Sequence, residues 1–205
     1  MIKEINNFDR EKIFNHYHQC DNPFLNITTK IDVTNIVNYC KIHKNFCATT
    51  GYLICKTANK IDNFKYRFQD NKFYYCDELI TNYTDLYNDM NIGYYDVYYN
   101  NDYQSYIENF KKEKEKFLEN NNYGIDNKLN EIWLSCIPWM KCTSIISPFN
   151  KNCLIPQIIW DKYELENDKY YVYLTIVIHH GFADAYHVGK FVNLLEENIR
   201  KFDGR

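Results

Sequence analysis

The sequence predicts a mixed α/β fold, with one large sheet and helices packed on it. Three observations carry that prediction. An alternating segment begins at Leu25, a long β-rich run leads up to His179, and charged segments with apolar residues at helical spacing lie between and after them.

Taken in order, Leu25, Ile27, Ile31 and Val33 alternate with Asn26, Thr28, Lys30 and Asp32, the period of a half-buried strand. Thr34 then opens a short helix. Tyr52, Leu53, Ala58 and Ile61 recur at helical spacing and predict a helix over residues 49–61. Residues 64–68 and 72–76 read as a hairpin turning at Asp70-Asn71. Tyr103, Tyr106, Ile107, Phe110, Phe117 and Leu118 form an apolar stripe on a charged helix, and the polar stretch 120–130 reads as a loop. Three apolar segments follow at 132–139, 153–160 and 170–178. The last is hydrophobic on both faces, which predicts a central strand covered on both sides. Val188, Phe191, Val192, Leu195 and Ile199 then give an amphipathic C-terminal helix.

Bulk properties narrow the function. A chain of 205 residues is expected to form one domain, residues 1–205. Its net charge of -3 comes from interspersed charges, which argues against a nucleic-acid partner. The polar start MIKEINNFDREK does not resemble a secretory leader, and no window approaches the roughly 20 apolar residues that span a bilayer. A cytoplasmic, membrane-free protein is therefore expected. The eight cysteines lack the short paired spacings of zinc sites and lie in apolar surroundings, so free buried thiols are the expectation.

The segment IHHGFADAYH carries the chemistry, because it puts His179 and His180 at the end of a buried strand with Asp184 just beyond. A strand end is a rigid platform for a reactive side chain. With an unperturbed pKa near 6.5, a neutral imidazole there can take a proton from a hydroxyl. Asp184 can orient the site, pair with a cation or cap the last helix. No cysteine or carboxylate stands at ligand spacing beside His180 and His187, so no metal is expected.

These residues resemble a known family. His179-His180-Gly181-Phe182-Ala183-Asp184 with Tyr186-His187-Val188 is similar to the H-H-x-x-x-D-G-x-H signature of the chloramphenicol acetyltransferases. Further similar segments run in order along the chain: FLNITTKID from Phe24, Ser135-Cys136-Ile137-Pro138-Trp139, and Ile155-Pro156-Gln157-Ile158-Ile159 with Lys162-Tyr163. The resemblance implies a two-layer sandwich with a large mixed sheet and covering helices, and acetyl transfer from acetyl-CoA to a hydroxyl of chloramphenicol or a similar small alcohol, with antibiotic resistance as the outcome. It implies His180 as general base, Ser135 as donor to the oxyanion, and an Arg10–Asp184 pair holding the histidine loop. Tyr17 is implied in the acceptor pocket, Lys162 and Tyr163 near the CoA nucleotide, and the assembly as a homotrimer with active sites between subunits.

Three departures qualify the match. Ala185 replaces the glycine after the motif aspartate, Ile159 stands where the family carries a threonine near the oxyanion, and residues 88–94 have no clear counterpart of the family's acceptor-side T-E-T-F-S segment. An acetyltransferase for a different small acceptor, or a CoA-binding or assembly homologue with impaired catalysis, fits the same departures.

Overall fold

The computed structural model describes residues 1–120, 127–148, 150 and 153–204. In chain order these form β1 (Ile2–Ile5), α1 (Glu11–His18), β2 (Phe24–Asp32), α2 (Thr34–His43), α3 (Phe46–Ala58), β3 (Tyr66–Gln69), β4 (Lys72–Cys76), β5 (Ile80–Leu86), β6 (Ile92–Val97), α4 (Tyr103–Asn120), β7 (Glu131–Ile137), β8 (Gln157–Asp161), β9 (Glu164–Glu166), β10 (Lys169–His179) and α5 (Ala185–Lys201). The large sheet runs β2-β10-β8-β7-β5-β6, with β9 paired to the start of β10. Its β8–β7 and β7–β5 pairs are parallel and the others antiparallel, so the sheet is mixed. A small antiparallel sheet, β1-β4-β3, stands apart from it.

β10 organises the molecule. Val172, Leu174, Ile176 and Ile178 enter the main core together with Ile36 of α2, Leu53 of α3 and Phe191 and Leu195 of α5. Residues 174–179 are buried on both faces, which makes β10 the covered central strand that its composition predicts. The α5 stripe of Val188, Phe191, Leu195 and Ile199 is buried, and each such side chain stabilises the helix docking by about 1.5–3 kcal/mol. A second apolar cluster of Phe8, Phe14, Phe73, Leu154 and Phe182 ties α1 and the small sheet to the loop after β10.

Several boundaries differ from the sequence expectation. The helix expected over 49–61 is α3, Phe46–Ala58; almost all of its residues from Ala48 onward are buried, so no polar face marks its ends. The strand expected over 153–160 is confined to Gln157–Asp161, and that over 132–139 ends at Ile137, before Pro138. The hairpin turns at Asp70 and Asn71, whose φ values of 51° and 59° suit a turn of the primed type. Of the loop expected over 120–130, residues 121–126 lie outside the described residues. The sequence reading assigned neither β5 nor β6. Thr81 and Tyr83 of β5 turn inward and satisfy their hydroxyls on Tyr106 of α4, at 2.9 and 2.8 Å, so this buried face carries polar atoms that hide the strand pattern. All eight cysteines are free, but only Cys55 and Cys76 are fully buried, and Cys20 is exposed.

Candidate active site

α1 builds one wall of the site. It has no side-chain N-cap, yet Glu11 stands in its first turn, the sign that this helix end favours. Phe14 is its buried anchor, stacked on His179 at 4.6 Å and on Phe182 at 5.1 Å. That anchoring brings Arg10, at the start of the helix, and Tyr17, near its end, against the loop that leaves β10.

His180 is the first residue beyond β10. Its ring lies flat on Tyr17 and both line a hollow of about 440 Å³ together with Arg10, Lys12, Ile13, His16 and Asp184. Nδ1 of His180 is buried without a hydrogen-bond partner among the described residues, which leaves Nε2 as the nitrogen available to the hollow that the ring lines. The backbone around it is held from several sides. The His180 N–H donates to Pro23 O at 2.9 Å, Arg10 Nε donates to Gly181 O at 3.0 Å, and Arg10 Nη2 reaches His180 O at 3.5 Å. Gly181 is required where it is: a Cβ there would lie 2.5 Å from the Phe14 Cα, so the loop can approach α1 only without a side chain.

Asp184 has two jobs in this geometry. It caps α5, accepting the N–H groups of Tyr186 and His187 at 3.0 and 3.4 Å in a capping box with His187, and its other oxygen stands 3.5 Å from Arg10 Nη1. Burial alone would raise its carboxyl. His187, the two capped N–H groups and the Arg10 guanidinium outweigh that and hold it below the ordinary aspartate value. Ala185 is the first residue of α5, exposed and with no positive φ, so the missing glycine demands no distortion of this loop.

Ser135 and Lys162-Tyr163 are elsewhere. Ser135 on β7 pairs with Ile159 of β8, which pairs with Thr175 of β10. It therefore stands beside Thr175, two strands across and short of His180 along β10; at about 4.8 Å per strand and 3.3 Å per residue the two backbone positions are roughly 19 Å apart. Lys162 follows Asp161, whose carboxylate accepts the Tyr173 N–H at 2.7 Å, so it lies toward the opposite end of β10, about 25 Å from His180. There Lys162 and Tyr163 line a hollow of about 260 Å³ with Phe46, Cys136, Pro138 and Asp161. Phe46 and Tyr163 pack with ring centroids 5.0 Å apart, and Lys162 Nζ has no ion-pair partner among the described residues. An aromatic pair beside a free ammonium suits a nucleotide with phosphates. The stretch 88–94 covers the turn from β5 into β6 and the first three residues of β6, with Met90 exposed.

The sequence reading did not single out Lys12, Ile13 and His16, which line the hollow beside Tyr17. Their signal was the helical spacing of Lys12, His16 and the tyrosine that follows. Among the described residues no cluster of histidine, cysteine, aspartate and glutamate is placed to hold a metal ion, and no helix is long and apolar enough to cross a membrane.

Comparison with known proteins agrees with this architecture. The chain is 27% identical to a chloramphenicol acetyltransferase of Staphylococcus aureus over 98% of its length and 97% of the relative's, and 29% identical to one of Clostridium perfringens over 95% of each. A solved chloramphenicol acetyltransferase structure shares the fold with a TM-score of 0.84 at 20% identity, covering 97% of this chain and 100% of that one. A probable dihydrolipoamide acetyltransferase of Listeria monocytogenes shares it at 0.71 and 13% identity, over 97% and 94% of the two chains. Because residues 1–196 match the family model described as chloramphenicol acetyltransferase, the chain belongs to the chloramphenicol acetyltransferase family and is an acyltransferase.

Proposed function

We propose that this chain transfers the acetyl group of acetyl-CoA to a hydroxyl of chloramphenicol or a similar small alcohol, with His180 as general base in a ternary complex. The observation that carries the reading is an imidazole at a rigid strand end, stacked on Tyr17, with one nitrogen facing a hollow of about 440 Å³. Nε2 takes the acceptor's hydroxyl proton as the oxygen attacks the thioester carbonyl, and returns it to the CoA sulfur as the C–S bond breaks. Ser135 donates its hydroxyl to the oxyanion, Tyr17 lines the acceptor side, and Arg10 with Asp184 holds the loop. Lys162 and Tyr163 bind the nucleotide of acetyl-CoA, which is a co-substrate.

The separations inside one chain give this reading its quaternary form. A serine roughly 19 Å from the base cannot serve the same carbonyl. A site shared between subunits, His180 of one facing Ser135 and the CoA site of its neighbour, accommodates that separation, and the homotrimer with a site at each interface is what the resemblance to the chloramphenicol acetyltransferases implies. Eight free cysteines suit a reducing cytoplasm. The test is release of CoA thiol from acetyl-CoA in the presence of chloramphenicol. Release by the wild-type chain and its loss in His180→Ala are expected; equal release by both would remove His180 from the chemistry.

A further inference from the structure

We propose that His179 is a positioning residue for acetyl transfer: its Nδ1 accepts the Gly181 N–H and so fixes the turn that aims His180. The proposal rests on the reading of His180 as the base. It starts from an oddity of composition. His179 is 0% exposed and sits in an aromatic box, with Phe14 at 4.6 Å, Phe182 at 5.3 Å and Phe24 at 5.8 Å between ring centroids. A phenylalanine would fill such a box without desolvating two polar nitrogens, and Nε2 is buried without a hydrogen-bond partner among the described residues, so any compensating contact falls to Nδ1.

That contact is the 3.1 Å hydrogen bond from the Gly181 N–H to His179 Nδ1. The turn's other polar groups have partners of their own. The His180 N–H goes to Pro23 O, the His180 and Gly181 carbonyls accept from Arg10, and the Phe182 N–H returns to His179 O at 2.9 Å. Among the described residues, the Gly181 N–H has only the imidazole. Gly181 packs closely on Phe14, where a Cβ would lie 2.5 Å from the Phe14 Cα. An accepting Nδ1 requires the proton on Nε2, and burial, reinforced by His18 and His180, keeps the ring neutral by lowering its pKa to about 3. The tautomer is thereby fixed wherever the enzyme works.

Two variants of the full-length protein separate this role from packing. His179→Phe keeps the ring and its stacking without the acceptor, whereas His179→Asn places an amide oxygen near the position of Nδ1. The expected result is a kcat about 10- to 100-fold lower in His179→Phe, with an unchanged KM for acetyl-CoA, and recovery to within about threefold in His179→Asn. Backbone hydrogen exchange at Gly181 should accelerate in the phenylalanine variant and stay slow in the asparagine one. Wild-type kcat and slow Gly181 exchange in His179→Phe would overturn the proposal, as would equal loss of kcat in both variants at the wild-type melting temperature. His180→Gln, assayed in parallel, isolates the underlying reading. If it keeps wild-type kcat, the base assignment and the catalytic claim for His179 both fall, while Gly181 exchange still decides whether His179 holds the turn.

Discussion

The ring of Tyr17 lies on the ring of His180 with centroids 3.9 Å apart and planes inclined by 7°. Such a stack fixes the plane in which Nε2 presents its lone pair, and aromatic pairs of this kind contribute about 0.5–1.5 kcal/mol beyond area burial. Tyr17→Phe should keep the stack and stay within about twofold of wild-type kcat, whereas Tyr17→Leu should lose about 3- to 10-fold. Steady-state kinetics with saturating acetyl-CoA decides. Equal losses in both variants would assign the effect to the phenol hydroxyl instead.

Arg10 spans three acceptors, the carbonyls of His180 and Gly181 and the Asp184 carboxylate. A lysine offers no fork for this arrangement. Arg10→Lys is expected to lower the melting temperature nearly as far as Arg10→Ala, by about 4–8 °C for a loss near 2 kcal/mol. Asp184→Asn keeps a good helix cap and loses only the charge, so it should cost less than Asp184→Ala, which loses both. Thermal melts rank the four variants, and an Asp184→Asn melt as low as that of Asp184→Ala would make the ion pair the dominant contact.

The strands β2 and β10 were legible because apolar residues recur at alternate positions over most of β2 and fill both faces of β10. The motif on the β10 end pointed to His180, and Asp184 was open to both cap and pairing because an aspartate before a helix satisfies either. The structure realises both through its two oxygens. α1 was not legible as a helix, since it is short, has no capping side chain and buries only Phe14 completely. The long separation of Ser135 from His180 could not be read from spacing, because it follows from strand order, and the sequence does not state which strands lie between β10 and β7.

Thr28, Thr175, Ile159, Ser135 and Thr84 form one row across the sheet, each in register with the next. Thr28 and Thr175 share a hydrogen bond of 2.8 Å, and Ile159 interrupts the hydroxyls between them and Ser135. Ile159→Thr should complete the row, raising kcat about 2- to 5-fold by adding a donor near the proposed oxyanion. It should also cost about 1–2 kcal/mol of stability, because Ile159 is 7% exposed and loses buried apolar volume. A stability loss with unchanged kcat would mean the row has no part in the reaction.

Two buried groups give stability opposite dependences on pH. Burial, then His18 and His180, lower the His179 pKa from 6.5 to about 3, so the unfolded chain binds the extra proton between these values. Stability from this group is complete above pH 6.5 and is lost as pH falls toward 3. Burial raises the Glu131 carboxyl from 4.5 to about 7, against the opposing bonds from the Lys128 N–H and Trp133. The folded chain then holds the extra proton, and stability falls as pH rises from 4.5 to 7. Each slope has a ceiling of about 1.4 kcal/mol per pH unit. Chemical denaturation across pH should show Glu131→Gln removing the fall toward pH 7, and His179→Phe removing part of the loss below 6.5. The slope is the readout, since either substitution also changes the baseline. An unaltered slope in Glu131→Gln would place that carboxyl's titration outside this range.

If the base and the oxyanion donor act from different chains, two dead enzymes should repair one another. Ser135→Ala is expected to lower kcat about 10²- to 10³-fold, and His180→Ala to remove the base entirely. Unfolding the two variants together and refolding them at equal concentration mixes chains at random, and an interface site needs an intact His180 from one chain and an intact Ser135 from the next. About one quarter of sites then pair both, so activity should return to about one quarter of wild type, from two preparations each nearly inactive alone. Sites built within a single chain would recover nothing, because every chain carries one of the two lesions. Recovery would also place the acceptor hollow beside His180 opposite the neighbouring subunit's Ser135, at a distance that one chain's sheet cannot provide.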